Sequence, residues 1–304
     1  MIPLAFVTGF LGSGKTTFLQ HVVRTHRGRR LVFLVNEFAP VDVDGPLIEC
    51  PPDDLISVVG GSIFCRCLVT DFIRHLQAVA GRAANPDTPV DGVVIEASGI
   101  ADPGVVPRML EETRLDGPFR LARVVSVVDP GTFATLVQTL PNLSAQIVAS
   151  DVALLNKSDL YSPDRLDETE RALRTINASL DIVRTSFCAA DIDLFTPRCA
   201  QARAGQYALC ADPNYEVMTI TADRVLDANA LTAALRELSD VLYRAKGYFP
   251  TAAGLQHLDA SPSGLTLRPA PRPDLPPRLV FILRPGARTR LEPLLANLAP
   301  ANPA

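Results

Sequence analysis

No apolar run in this chain reaches the roughly 20 residues that a helix needs to cross a bilayer, so no membrane-spanning segment is expected. Basic residues are not in excess either. Twenty-nine Lys and Arg stand against 33 Asp and Glu, giving a net charge of −4, and the cations are scattered. That argues against a nucleic-acid-binding surface, which needs a concentrated basic patch. The six cysteines are at 50, 65, 67, 188, 199 and 210, and only Cys65 and Cys67 are close in sequence. A 304-residue chain with 47% hydrophobic residues can bury its own core without a disulfide framework. A reducing compartment, the cytoplasm, is therefore the expected address. His21, His26, His75 and His257 are dispersed, so no His-rich tract supports metal storage. Internal repeats and low-complexity tracts are absent too.

What is present is an alternation of short apolar runs with amphipathic stretches. Strands are expected at Ile2–Thr8, Leu31–Val35, Leu55–Val59, Gly92–Glu96, Arg123–Asp129, Val152–Asn156 and Ile182–Thr185. Runs without polar alternation suit strands buried on both faces. The N-terminal Met-Ile-Pro-Leu-Ala-Phe-Val has no basic stretch before it and reads as the first strand, not a signal peptide. In Leu68–Ala80 the residues Leu68, Phe72, Leu76 and Ala80 recur every fourth position, with Val69, Ile73 and Val79 beside them. This order predicts an α/β fold with a doubly wound, mostly parallel sheet. The pattern changes after about residue 205. A strand at Glu216–Thr221, a helix at Asp227–Leu242, a Pro-rich loop at Ser261–Pro277, a strand at Leu279–Leu283 and a helix to about Leu298 suggest a smaller α+β domain. The expected division is 1–212 and 213–304, with a fraying C-terminus.

The first chemical signal is Gly9-Phe-Leu-Gly-Ser-Gly-Lys-Thr16, which matches a P-loop between a strand and a helix. Gly9, Gly12 and Gly14 let the backbone around Ser13 curl its N–H groups toward phosphate oxygens. A helix starting near Lys15 adds its positive end. The Lys15 ammonium would reach the β and γ phosphates, the Thr16 hydroxyl would hold Mg²⁺, and Thr17 continues the segment. Glu96, where a buried strand ends, is a second candidate for the Mg²⁺ side, and Gly99 allows close approach of the backbone. The loop after the second strand carries Glu37, Asp42 and Asp44 at the edge where open α/β sheets bind ligands. Glu37, Asp44 and Glu96 join Lys15 as catalytic candidates.

The second signal is Asn156-Lys157-Ser158-Asp159 at the end of a buried strand. A carboxylate at Asp159 can accept from guanine N1–H and the 2-amino group. Adenine has no such amino group and offers an acceptor at N1, so guanine is selected. The Lys157 stem can lie along the purine, Asn156 can brace neighbouring loops, and Thr185 and Ser186 can complete the base pocket. GTP with Mg²⁺ is the expected ligand.

These residues resemble the CobW-type metallochaperone GTPases, relatives of the HypB and UreG nickel-insertion GTPases. The resemblance runs over most of the chain. Gly9–Thr17 is similar to the family's Gly-Phe-Leu-Gly-Ser-Gly-Lys-Thr-Thr, and Val35-Asn-Glu-Phe38 with Val43-Asp-Gly45 to its first switch loop. Glu96-Ala-Ser-Gly-Ile-Ala-Asp-Pro103 is similar to its Glu-x-x-Gly-x-x-x-Pro segment. Asn156–Leu160 and Thr185–Leu194 resemble its guanine-binding segments, and Arg244-Ala-Lys-Gly247 its C-terminal Arg-x-Lys-Gly. The resemblance implies GTP-driven delivery of a transition metal, Zn²⁺ or Co²⁺, to a client protein or cofactor pathway, and self-association as a homodimer. Members carry Cys-x-Cys-Cys after the third strand. Here the segment is Cys65-Arg66-Cys67-Leu68, with Leu68 in the third thiol's place. Cys65, Cys67 and Glu37 are the candidate ligands of the transition metal. Two other readings are a GTP-dependent chaperone of a metallocofactor enzyme that binds no metal itself, and a non-catalytic GTP-dependent binding module.

If GTP and the ion are linked, the linkage is reciprocal. GTP affinity measured with and without Zn²⁺ or Co²⁺ is expected to differ by the factor that GTP imposes on metal affinity. Equal GTP affinities would rule the coupling out.

Overall fold

The computed structural model describes residues 1–37, 45, 48–59, 63, 69–99, 101–197, 215–296 and 298. Its organising element is β1 (Ile2–Thr8), in which Leu4, Ala5, Phe6 and Val7 have no exposed surface. Alternate residues point to opposite faces. Leu4 and Phe6 enter a cluster with Phe72, Leu76 and Val79 of α2 (Val69–Ala83) and Val106, Met109 and Leu110 of α3 (Val106–Glu112). Ala5 and Val7 enter the cluster on the other face, with Phe18, Leu19 and Val22 of α1 (Lys15–Thr25). A strand covered on both sides must be apolar throughout, which is why this run lacks polar alternation.

The other strands of this sheet are β2 (Leu31–Glu37), β3 (Leu55–Val59), β4 (Gly92–Glu96), β5 (Phe119–Val128), β6 (Val152–Leu155) and β7 (Asp181–Arg184). Their order is β3-β2-β4-β1-β5-β6-β7, and every neighbouring pair is parallel. The helices α4 (Pro130–Leu136), α5 (Pro141–Val148) and α6 (Pro163–Ile176) complete the unit. The expected doubly wound α/β sheet is present.

Several boundaries differ from expectation by a few residues, and β5 differs most. It begins at Phe119, ahead of the expected Arg123. Arg120 and Arg123 break the apolar pattern there, yet the strand pairs with β1 from Ile2↔Phe119 onward. The register shifts between Leu4↔Leu121 and Ala5↔Arg123, so Ala122 is an extra residue, a bulge. Arg123 is buried because its guanidinium donates to the carbonyls of Asp193 (3.0 Å) and Thr196 (3.1 Å).

A second compact unit holds β8 (Glu216–Thr221), α7 (Ala228–Glu237), β9 (Leu242–Thr251), β10 (Gly254–Ser261), β11 (Gly264–Pro269), β12 (Arg278–Leu283) and α8 (Arg288–Ala296). Its five strands are antiparallel in the order β11-β10-β9-β12-β8. The two helices cover one face, through Leu231, Leu235, Leu291 and Leu295 against Phe249, Leu258 and Phe281. Two expectations are corrected here. The helix expected over Asp227–Leu242 stops at Glu237, and Leu242 instead opens β9. The segment Ser261–Pro277, expected as a loop, contains β11, which forms a hairpin with β10 across Ser261↔Gly264. Leu265 and Leu267 alternate inward there, and four of the segment's six prolines come after the strand. The expected boundary at 212/213 and the expected fraying after Leu298 lie outside the described residues. Among the described residues no helix is long and apolar enough to cross a membrane.

His257 on β10 is 8% exposed, and its ring lies 5.2 Å from that of Tyr248. Burial, helped by Lys246, pushes its pKa down from 6.5 to about 4, while Asp259 opposes the shift. The unfolded chain protonates this imidazole near 6.5 and the folded one only near 4. The neutral ring's contribution is therefore complete above pH 6.5 and lost as pH falls toward 4. It amounts to at most about 3 kcal/mol. Urea midpoints at pH 7.5 and 4.5 are expected to differ more in the wild type than in His257→Gln. An equal loss in both would refute this assignment.

Candidate nucleotide site

The P-loop leaves the carboxyl end of β1 through Gly9, whose φ is +133°. A side chain at Gly9 would collide with the Val127 carbonyl at 2.2 Å. Gly14, with φ +115°, precedes α1, and a Cβ there would sit 2.4 Å from the Asn156 carboxamide nitrogen. Both glycines are thus demanded by backbone conformation and by close approach. Lys15 opens α1 and is buried, with its ammonium donating to the carbonyls of Gly9 (2.9 Å) and Phe10 (3.3 Å). It therefore lies folded across the mouth of its own loop. Thr16 and Thr17 follow in the first turn of α1.

Three buried hydroxyls on this part of the sheet, those of Thr8, Ser13 and Ser98, have no hydrogen-bond partner among the described residues. A buried hydroxyl left unpaired costs about 1–3 kcal/mol. Three at the ends of β1 and β4 and inside the P-loop fit a site built to receive phosphate oxygens and a hydrated cation. Glu96 closes β4, paired with Val7, and is buried. It stands at the level where β1 hands over to the P-loop. Gly99 follows it so closely against the P-loop that a Cβ would meet the Leu11 amide nitrogen at 2.8 Å. Gln146 of α5 secures this turn by donating to the carbonyls of Gly99 and Ala101, both at 3.1 Å.

The candidate base-binding segment is joined directly to the P-loop. Asn156 is buried just past β6, and its carboxamide donates to the Ser13 carbonyl at 2.8 Å. Its oxygen accepts from the Cys188 N–H at 2.9 Å. The Ser158 N–H donates to the Thr185 carbonyl at 3.1 Å, so the loops after β6 and β7 are one stitched surface. Thr185 is buried beside it, Ser186 is partly exposed, and Asp159 is exposed to solvent. Phe187 and Cys188 both adopt left-handed backbone, φ 54° and 55°. Such residues cost of order 1 kcal/mol or more each and cluster at functional sites. The Cys188 thiol lies 3.4 Å from the Gly14 carbonyl, and burial pushes its pKa up to about 12. It is a packing group there, not a nucleophile.

One residue of this site carried no signal in the sequence. Asp129, just past β5, is buried and accepts from the Lys157 ammonium (2.7 Å), the Tyr161 hydroxyl (2.8 Å) and the Gly131 N–H (2.9 Å). It holds Lys157, itself in left-handed backbone with φ 59°, and caps α4. Burial, and then the bond to Asp129, raise the Tyr161 pKa above its usual value. An aspartate ending an apolar strand looks like an ordinary turn residue. Only the fold brings Lys157 and Tyr161 to it.

A CobW/HypB/UreG nucleotide-binding domain matches residues 3–184, and a cobalamin synthesis protein CobW C-terminal domain matches residues 215–299. The chain belongs to the CobW/HypB/UreG family. A zinc chaperone CobW from Sinorhizobium sp is 31% identical over 199 residues, 54% of this chain and 53% of that protein. A zinc-regulated GTPase metalloprotein activator 1 from Schizosaccharomyces pombe is 26% identical over 194 residues, 61% of this chain and 46% of that protein. The chain spans about half the length of the curated relatives it matches. A Zn(II)-bound YjiA GTPase from Escherichia coli aligns over 98% of this chain and 99% of that one, with TM-score 0.49 and 21% identity.

The candidates for the transition metal are not brought together by the described part of this CobW-family chain. Asp42, Asp44, Cys65 and Cys67 lie outside the described residues, and Glu37 enters only as the last residue of β2. Among the described residues no group of three or more His, Cys, Asp or Glu is placed to hold a metal ion.

Asp129→Asn keeps the helix cap, since asparagine caps well, but removes the charge that holds Lys157. GDP binding is expected to weaken roughly tenfold, with some loss of thermal stability because Lys157 loses its buried carboxylate partner. A GDP dissociation constant within about twofold of wild type would remove Asp129 from the base site.

Proposed function

We propose that this CobW-family chain is a GTP-hydrolysing metallochaperone. Its nucleotide state governs the delivery of a transition metal, such as zinc or cobalt, to a client protein or cofactor pathway. The observation that supports the reading best is the single carboxamide of Asn156, which joins the P-loop at Ser13 to the loop after β7 at Cys188. A site whose phosphate and base ends share one buried side chain suits a whole nucleoside triphosphate. The Asn-Lys-Ser-Asp turn favours guanine, because Asp159 pairs with the donors that only guanine presents. Relatives named zinc chaperone and zinc-regulated GTPase metalloprotein activator support the metal half of the reading.

In this proposal the P-loop from Gly9 to Thr17 binds the phosphates. Lys15 leaves the carbonyls of Gly9 and Phe10 to neutralise the β and γ oxygens. Thr16 and Glu96 would hold Mg²⁺, which supplies charge neutralisation at those oxygens. Glu37 and Asp44 lie on the loop that positions water. Gly99 brings the backbone after β4 close to the P-loop, where a γ-phosphate can order it. Asn156, Lys157, Asp159, Thr185 and Ser186 form the base pocket. Cys65 and Cys67, with Glu37, carry the ion as cargo. No arginine finger is readable in the chain, so turnover without a partner is expected to be slow. A homodimer and a cytoplasmic setting are part of the same proposal.

A second reading is kept because Leu68 replaces a third thiol. In it the chain is a GTP-dependent chaperone of a metallocofactor enzyme and holds no ion itself. Titration of the reduced protein with Zn²⁺ and Co²⁺ in the presence of a non-hydrolysable GTP analogue separates the two. Binding of about one ion, lost in Cys65→Ser/Cys67→Ser, is expected. Binding indifferent to those cysteines, or none, would move the function to the second reading. Phosphate release from GTP but not ATP, abolished in Lys15→Ala, checks the hydrolytic half separately.

A further inference from the structure

Asn36 is the next-to-last residue of β2 and is 5% exposed. It lies between two strands, with Asn36↔Val58 on the β3 side and Val35↔Glu96 on the β4 side. Its carboxamide reaches three separate segments. The nitrogen donates to the Val58 carbonyl on β3 at 3.1 Å. The oxygen accepts from two backbone N–H groups, Ser98 and Ile63, each at 3.1 Å. This orientation is not interchangeable. Both partners of the oxygen are donors and the partner of the nitrogen is an acceptor, so a flipped amide would oppose like groups at all three contacts.

The two loops that share this oxygen are those whose coupling the proposed function requires. Ser98 lies in the turn Glu96-Ala-Ser-Gly99, whose last residue presses on the P-loop at Leu11. Ile63 is two positions before Cys65, and its side chain is pinned in the core cluster with Phe72 and Leu76. The three described partners of the carboxamide are all backbone groups, and the side chain is buried. A shift of Ser98 relative to the sheet must therefore drag the carboxamide or break a bond to it. In either case the Ile63 N–H feels the change through the same oxygen.

We infer that Asn36 is the positioning residue that transmits nucleotide state from the Ser98 turn to the Cys65–Cys67 loop. The inference rests on the switch reading above but does not require that the thiols carry an ion. Leucine at this position matches the shape without either hydrogen-bonding function. Among the described contacts, aspartate keeps both acceptor bonds and, when protonated, can still donate to the Val58 carbonyl.

The test is alkylation of Cys65 and Cys67 by iodoacetamide, followed by peptide mass spectrometry on the full chain. Rates are compared with GDP and with a non-hydrolysable GTP analogue bound. In the wild type the two rates are expected to differ by about fivefold or more. In Asn36→Leu the ratio is expected to fall to within about twofold of unity, while GDP affinity and the urea midpoint show that the site is still folded. Asn36→Asp is expected to retain at least half of the wild-type ratio. A ratio that persists in Asn36→Leu, or vanishes in a folded Asn36→Asp, overturns the inference. So does a wild type whose thiols ignore the nucleotide. Failure of the metal reading is told apart by the metal titration, because the alkylation ratio can change in a protein that binds no ion. If Asn36→Leu does not fold, the aspartate variant alone decides.

Discussion

The parallel pairing of β1 with β4 on one side and β5 on the other is the constraint on which the nucleotide unit depends. Parallel strands need long crossovers, which send the chain back over the sheet and bring all carboxyl ends to one edge. With β1 buried from Leu4 onward in the middle of that sheet, its P-loop emerges between the ends of its neighbours. The register then decides what meets it. Val7 lies opposite Glu96 and Thr8 opposite Ser126, so the acidic residue that ends β4 and Asp129 just past β5 arrive at the same edge. Gly9 is forced because the β5 backbone leaves no room for a Cβ. The catalytic layout proposed for this chain is thus a consequence of strand order before it is a property of any loop.

Loops at such an edge expose backbone groups that strands no longer satisfy, and this protein meets the need with buried carboxamides. Asn156 takes an N–H from the loop after β7 and donates to the P-loop. Asn36 does the corresponding work on the other side of β1, with the segments after β3 and β4. Gln146 holds the continuation of the β4 turn from the helix layer. Amide side chains suit this role because they donate and accept without charge, and so avoid the desolvation cost that a buried ion would carry. The buried charge of Asp129 is matched, because it meets Lys157, a tyrosine hydroxyl and a helix N–H together.

The two units were unequally legible. Every strand of the parallel sheet was visible at least in part as an apolar run, most plainly the central ones, where burial on both faces removes polar residues from the pattern. Where Arg120 and Arg123 intrude, the start of β5 was lost, since the carbonyls that accept from Arg123 belong to residues distant in sequence. The antiparallel unit hid more. Strands β9 and β10 carry Arg244, Lys246, His257 and Asp259 on one face, so no continuous run marks them. Leu238 and Leu242 share helical spacing with Leu231 and Leu235, yet the helix ends before them because β9 begins at Leu242. The short alternation Leu265–Leu267 was overshadowed by the prolines that follow.

The sequence by itself determined the chemistry of the two ends of the site. Glycines at this spacing before Lys15 suit an anion-cradling turn, and the Asn156–Asp159 tetrapeptide after an apolar strand carries, in the proposed function, guanine's complement in its own side chains. Such motifs are local, and local conformation follows from the residues that adopt it. Tertiary structure alone decided which distant groups complete them. That Asp129 anchors Lys157, that Asn156 reaches back to Ser13, and that one oxygen of Asn36 serves both the Ser98 turn and the approach to Cys65 all depend on strand order. Hydrogen bonds between segments far apart in the chain leave no periodicity for a sequence to display.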